Sequence, residues 1–213
     1  MQTLLEIKTS LYSDAGESTR LANRFVGAWH AAHPDCRVVV RDLTRDPVPH
    51  LDAERFGAFI ARPEGRTRAQ AEAVAYSDRL IAELKQADVL VIGAPMYNLG
   101  IPSTLKAYFD HIARAGETFR YTEKGPVGLL TGKKAYVFAT RGGFYSGTAL
   151  DTQSQYLRHV LGFLGITDVD FVFAEGLATG QARREQALAK AHAKAQALAR
   201  DVSVPVPQRR ASA

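Results

Sequence analysis

The chain has 213 residues, 46% of them hydrophobic and 23% charged, with one cysteine and a net charge of +5. That composition excludes a disordered chain, a collagen-like chain and a disulfide scaffold. No apolar run approaches the roughly 18 residues a membrane-spanning helix needs, so no membrane partner is expected. A chain of this length buries about 70% of its surface on folding and needs no structural metal.

The opening residues run straight into a strand-like segment, with no charged region leading an apolar stretch, and so read as lacking a signal peptide. With Cys36 alone, this points to a reducing, cytoplasmic setting. The charge is unevenly placed. Residues 1–180 hold 20 basic and 20 acidic side chains, and the whole excess lies beyond them. The excess reads as a solvated helix face and tail, and no nucleic-acid partner is expected from it.

In chain order, Leu4 to Lys8 is a short apolar strand. A helix follows over Ser18 to His33, with Leu21, Ala22, Phe25, Val26 and Trp29 on one face. The Val-rich segment Arg37 to Leu43 predicts a second strand. Residues 44–66, punctuated by Pro47, Pro49 and Pro63, read as a long connection. Thr67 to Gln86 is helical, with Val74, Ser77, Ile81 and Leu84 on one stripe. Asp88 to Ala94 is apolar almost throughout, as a parallel strand covered on both faces should be. A third helix spans Pro102 to Ala115, and residues 116–132 form an excursion, read as a hairpin. Then come a strand at Lys134 to Thr140, a helix at Asp151 to Leu164 and a strand at Asp168 to Ala174. An Ala-rich helix runs from Gly180 to Arg200, and the tail 201–213 is expected to be disordered. The alternation predicts one α/β domain over residues 1–200. It should be a doubly wound, five-stranded parallel sheet of order 2-1-3-4-5 with helices on both faces.

Such a fold binds ligands beyond the carboxyl ends of its strands. Three loops are nominated. Loop 9–18 is rich in hydroxyls and leads into a helix N-terminus, an anion site by its unpaired N–H groups and dipole. Capping by Ser18 or Thr19 explains the same hydroxyls. Loop 94–102 carries two prolines, Met96, Tyr97, Asn98 and Leu99, which suit a planar heteroaromatic ring; a Pro-bounded turn over core side chains suits them too. Loop 140–148 contains Gly142 and Gly143, which let a ligand approach the backbone or simply make a turn. There is no P-loop signature, no G-x-G-x-x-G after the first strand and no G-x-S-x-G. His30 and His33 share a helix end without a metal-site cluster and read as surface residues, while Cys36 reads as a small core side chain.

Longer segments carry a resemblance. They are A-P-M-Y-N at 94–98, A-R-A-G-E-T-F-R-Y-T-E-K-G-P-V-G-L at 113–129, T-G-K-K at 131–134 and R-G-G at 141–143. To these are added G-F-L-G-I-T-D-V ending at Val169 and V-F-A-E-G at 172–176. On these, over residues 3–200, the chain resembles the FMN-dependent NADH:quinone oxidoreductases of the azoreductase family, homodimeric enzymes of flavodoxin-like fold. The resemblance implies noncovalent FMN, its phosphate held at Ser10, Gly16, Glu17 and Ser18. Its ring would be held at Met96, Tyr97, Asn98 and Leu99 and at Thr140, Arg141, Gly142 and Gly143. It implies a homodimer in which the excursion crosses the interface. Phe119 and Tyr121 would wall the partner's active site, with Phe163 on the other side and Tyr145 facing the substrate. NADH or NADPH would donate a hydride and leave, and a quinone or azo compound would then take two electrons, in a ping-pong cycle. No side chain is singled out as catalytic; water, Tyr121 or Tyr145 could supply protons.

Two departures stand out. Residues 16–18 read G-E-S where the family often has S-x-S, which puts an anion beside an anion site unless Glu17 offers only its backbone. Phe144 and Tyr145 follow Gly143 where some relatives carry a His. Arg55, Phe59 and Arg62 are expected at the pocket rim. The alternative reading is a flavodoxin-type electron carrier without its own small-molecule acceptor.

Overall fold

Each strand of the sheet alternates its side chains between two cores. In the computed structural model, which describes residues 2–200, Leu4, Val89, Val91, Tyr136 and Phe138 face one side. Leu5, Ile7, Leu90, Ile92 and Val137 face the other. The sheet comprises β1 (Thr3–Lys8), β2 (Arg37–Asp42), β3 (Val89–Pro95), β6 (Lys134–Thr140) and β7 (Asp168–Ala174). The order is β2-β1-β3-β6-β7, and every pairing is parallel. Discounting the two strands of the excursion, this is the expected 2-1-3-4-5 arrangement. The period of two inside each strand and covered faces on both sides follow from βαβ connectivity.

Helices α1 (Glu17–Ala32) and α6 (Gln181–Arg200) cover the first face. Phe25 and Trp29 of α1 are fully buried there; the fully buried residues of α6 are Ala191, Ala195 and Ala199, with Leu188 and Leu198 packed at the margin. That stripe of methyl groups lets α6 lie close to α1 and the sheet. The opposite face is covered by α3 (Arg68–Gln86), α4 (Ser103–Ile112) and α5 (Thr152–Leu164). A capping box at Thr67 and Gln70 starts α3. Gly165, at φ 101°, ends α5 in the left-handed region.

The connection 44–66 is not wholly irregular. It contains α2 (Ala53–Ile60), started by Asp52, whose carboxylate accepts from Arg55 N at 2.8 Å. Three flanking prolines hid an eight-residue helix. Cys36, just ahead of β2, is half-buried and packs at the margin of the first core. The tail 201–213, for which disorder was expected, lies outside the described residues.

The excursion is a hairpin, β4 (Phe119–Thr122) paired antiparallel with β5 (Gly125–Gly128). Its return strand crosses the end of α5 at a backbone-on-backbone contact. A Cβ on Gly128 would lie 2.1 Å from Gly165 N, so only glycine fits there. Leu130 N donates to Leu164 O at 2.9 Å beside it. Phe119 is buried, packed at 4.3 Å centroid distance on Phe163 of α5. Within one chain Phe119 and Phe163 touch; the walls expected of them involve a second copy of the chain. Tyr121, 74% exposed, is the ring this hairpin presents outward.

Candidate active site

At the carboxyl ends of β1, β3 and β6 the three nominated loops meet. Direct hydrogen bonds tie them together. Thr9 Oγ1 donates to Gly93 O at 2.6 Å, and Leu11 N to the Tyr97 hydroxyl oxygen at 3.2 Å. Met96 N donates to Thr140 O at 2.9 Å. Gln153 of α5 reaches under the second loop, its Nε2 donating to Ala94 O and Pro95 O. A cavity of about 270 Å³ lies between them.

The first loop ends where α1 begins. Gly93 of β3 lacks a side chain where the carbonyl of Ser18 comes closest; a Cβ there would stand 3.2 Å from it. That contact presses the N-terminus of α1 against the switch point between β1 and β3. Gly16 is the N-cap, with no side-chain cap, so capping by Ser18 or Thr19 is overturned. The free N–H groups of the first turn remain available to an anion. A Cβ on Gly16 would stand 2.0 Å from Ser10 Oγ, which places Ser10 and the turn in direct contact. Ser18 is fully buried and its hydroxyl has no partner, an orphan donor in that same first turn. A phosphate group fits this donor set.

The second loop is a tight turn. Tyr97 and Gly100 exchange both backbone hydrogen bonds at 3.0 Å, with Asn98 at φ 48° and Leu99 at φ 66°. Two consecutive non-glycine residues in the left-handed region cost about 1–3 kcal/mol each. The hydroxyl of Thr152 from α5 fixes the strained peptide by donating to Leu99 O.

The third loop turns on Gly142 and Gly143. The carbonyls of Arg141, Gly142 and Gly143 accept from the N–H groups of Leu177, Ala178 and Gly176. The Gly142 and Gly143 amides are therefore the donors this turn can offer a ligand. The Arg141 side chain is not one of them, although the resemblance grouped it with ring-holding residues. It is fully buried and bonded to Gln153 at 3.1 Å, Glu175 at 3.0 Å, Asp151 at 2.8 Å and Ser154 at 2.6 Å. Its guanidinium also lies 4.6 Å from the Phe173 ring centroid. Burial drives the Asp151 carboxyl upward. Hydrogen bonds from Ser154 N–H and Arg141 outweigh that and hold it below the usual carboxylate range.

Of the sequence-nominated residues, Ser10, Gly16, Glu17, Met96, Tyr97, Thr140, Arg141 and Gly142 line the cavity. Ser18 lies buried beneath it, and Asn98, Leu99 and Gly143 do not line it. Tyr145 packs its ring over Gly143, 3.0 Å from where a Cβ would be. Phe119, Tyr121 and Phe163 lie off this cavity. Sequence reasoning missed Tyr12, Ala15, Pro95, Leu177 and Arg184. Arg184 carried a signal, a basic residue in the first turn after the V-F-A-E-G run, but charge counting assigned it to a solvated face.

A larger cavity of about 460 Å³ lies between α2, α3 and α4. It is lined by Arg55, Tyr76 and His111 among others, and holds none of the three loops. Arg55 therefore does not rim the loop cavity, and Phe59 packs beneath the Arg114 guanidinium at 5.0 Å. Arg62 precedes a short turn at 63–65 and lines neither cavity.

One buried acid sits on β1 behind the first loop. Glu6 is 2% exposed and its Oε1 has no partner. Burial pushes its carboxyl up to about 7; Lys8 opposes this, and Asp14 and Asp42 add to it. The folded chain holds this proton more tightly than the unfolded chain does. Stability from Glu6 is thus full below about pH 4 and is lost as pH rises through about 7. Glu6→Gln should raise stability by about 2–3 kcal/mol at pH 8 and change it little at pH 4.5. Urea unfolding at the two pH values checks this, and an equal effect at both would count against it.

Comparisons with known proteins agree with this geometry. A family model described as flavodoxin-like fold matches residues 2–199. An FMN-dependent NADH:quinone oxidoreductase of Cellvibrio japonicus is 56% identical over 191 residues, covering 90% of this chain and 95% of that protein. The crystal structure of an azoreductase from Bacillus anthracis superposes with a TM-score of 0.88 at 30% identity, covering 95% of this chain and all of that one. An FMN-dependent NADH-azoreductase from the same species, solved in complex with FMN, gives 0.85 at 28% identity, covering 93% of this chain and 98% of the other. Sheet order, the three convergent loops and these likenesses together place the chain in the flavodoxin-like family of FMN-dependent NADH:quinone oxidoreductases, to which it belongs.

Proposed function

We propose that this protein is an FMN-dependent oxidoreductase that reduces quinones and azo compounds with NADH or NADPH. The observation that carries this is the meeting of three loops at one cleft, with an uncapped helix N-terminus at one end and Gly-rich backbone at the other. Ser10, the backbone of residues 16–18 and the Ser18 hydroxyl would hold the phosphate of noncovalently bound FMN. The second and third loops, Met96 to Leu99 and Thr140 to Gly143, would hold its ring through backbone and apolar contacts. When bound, FMN supplies the means of taking a hydride from a reduced nicotinamide and giving two electrons to an acceptor. In balance, NAD(P)H, a proton and a quinone give NAD(P)⁺ and a hydroquinone. Donor and acceptor would use the same cleft in turn, a ping-pong order. Water, Tyr121 or Tyr145 could supply the proton.

The chain works, in this reading, as one domain over residues 1–200 and as a homodimer. The hairpin supports the dimer: Tyr121, Val127 and Leu129 are all exposed apolar groups on one small sheet and its return. A second copy is the surface that would cover them. A reduced nicotinamide donor and a single cysteine support a cytoplasmic setting in this reading. No helix among the described residues is long and apolar enough to cross a membrane. Two of the basic side chains of α6 are already engaged, Arg184 by Glu17 and Lys194 by Phe171 O, which weakens a nucleic-acid reading.

The test is a visible spectrum of the purified protein, repeated after anaerobic addition of NADH and of NADPH. Flavin absorbance that bleaches, and returns with a quinone, supports the reductase. A protein that neither carries nor takes up FMN overturns it. A flavoprotein that neither nucleotide bleaches favours an electron carrier.

A further inference from the structure

We propose that Arg184 is a cofactor-selecting residue, held over the phosphate end of the cleft by Glu17, so that this chain prefers a phosphorylated flavin to riboflavin. The inference rests on the FMN reading above and adds to it a residue from an element none of the three loops belongs to.

An anion at the start of α1 looks at first like a defect. The position of the Glu17 carboxylate resolves it. Glu17 Oε1 accepts from Arg184 at 2.5 Å and from Arg20 at 3.3 Å. One acid between two guanidiniums leaves the trio with a net positive charge at the mouth of the turn. Arg184 comes from the first turn of α6, is 40% exposed at its side chain and lines the same cavity as Ser10 and Gly16. The other arginine lining that cavity is Arg141, whose guanidinium is fully buried among four side-chain partners and cannot turn to a ligand.

A phosphate monoester carries between one and two negative charges near neutral pH, and a helix N-terminus supplies only about half a positive charge. The partly exposed Arg184 guanidinium is the cation this pocket has to offer. Its planar fork suits phosphate oxygens bidentately. The carboxylate of Glu17 has a defined task in this arrangement, keeping the long Arg184 side chain at the cleft instead of in solvent. Glu17 and Arg184 are thus one device spanning the first and last helices of the first face.

The test compares the affinity of apoprotein for FMN and for riboflavin, by flavin fluorescence quenching, in the wild type, Arg184→Gln and Arg184→Lys. Arg184→Gln should weaken FMN on the order of tenfold, the scale of one charge-assisted contact, and leave riboflavin unchanged. Arg184→Lys should recover part of the loss, because it keeps the charge without the fork. Raising salt should narrow the FMN difference between wild type and Arg184→Gln. FMN affinity within twofold of wild type in Arg184→Gln overturns the proposal, as does an equal loss for riboflavin, which would mean general damage to the cleft. If wild-type protein binds no FMN at all, the cofactor reading itself fails, and the proposal with it. Thermal unfolding of the three apoproteins should coincide, since the Arg184 side chain is half-exposed.

Discussion

Replacing Arg141 with methionine should lower unfolding free energy by about 3–5 kcal/mol, a large share of the roughly 5–15 kcal/mol that holds a typical domain together. The physical reason is what the substitution leaves behind. Asp151 and Glu175 would keep their carboxylates with no cation between them, Asp151 in a site that is 6% exposed. Gln153 Oε1 and Ser154 Oγ would lose their charged donor as well. Glu175 Oε1 additionally accepts from Tyr145 N and Ser146 N, both at 2.9 Å, so freeing it loosens the third loop. Arg141→Lys should recover only part of the loss, because a point charge on a flexible stem cannot serve four acceptors spread around a planar fork. Urea denaturation followed by circular dichroism reads both variants. An Arg141→Met protein that unfolds at the wild-type midpoint would mean that the buried network contributes nothing net.

The second large effect falls on binding. Gly16→Ala should weaken FMN on the order of 10- to 100-fold while the apoprotein remains folded. The added methyl would stand 2.0 Å from Ser10 Oγ and 2.5 Å from Ser10 Cβ. The oxygen can rotate away, but Cβ cannot, so the backbone of the loop or of the first helical turn must move. Both supply the donors assigned to the phosphate. Gly27→Ala is the matched control on the same helix, since its Cβ meets nothing within 4 Å. It should leave FMN affinity unchanged and add up to about 1 kcal/mol of stability from helix propensity. FMN titration of the two variants separates the outcomes. Unchanged affinity in Gly16→Ala would remove the helix N-terminus from the site.

Much of this arrangement was legible in the chain because it is periodic. Val89, Val91 and Leu90, Ile92 alternate between two cores, and the near-continuous apolar run of β3 announced a strand with both faces covered. Leu21, Phe25 and Trp29 recur at the spacing of a helix face, and all three are buried. Sheet order followed from the alternation of strands and helices, because right-handed crossovers leave few alternatives. The helix α2 was not legible. It is eight residues long, shorter than a reliable periodic window, and prolines flank it on both sides. Its one local signal is Asp52 ahead of Arg55, a cap that resembles many turns.

Loop positions were readable for the same reason, since every strand end in such a fold points to one edge. The roles of individual side chains were not. Arg141 was grouped with the ring-holding residues by the resemblance. Its partners Asp151, Gln153, Ser154 and Glu175 arrive from 10 to 34 positions away and turn it inward. Phe119 read as an exposed interface ring until Phe163, packed at 4.3 Å, buried it. Glu17 read as a misplaced anion until Arg184, 167 positions along the chain, met it.

By itself, then, the sequence determined the sheet, its covering helices and the edge where the three candidate loops gather, because backbone periodicity and chain chirality act locally and repeat. Only the tertiary structure decided which charges are neutralised, which arginine is buried and which stays partly exposed at the cleft. Those outcomes depend on single contacts between distant segments, and no local pattern encodes them.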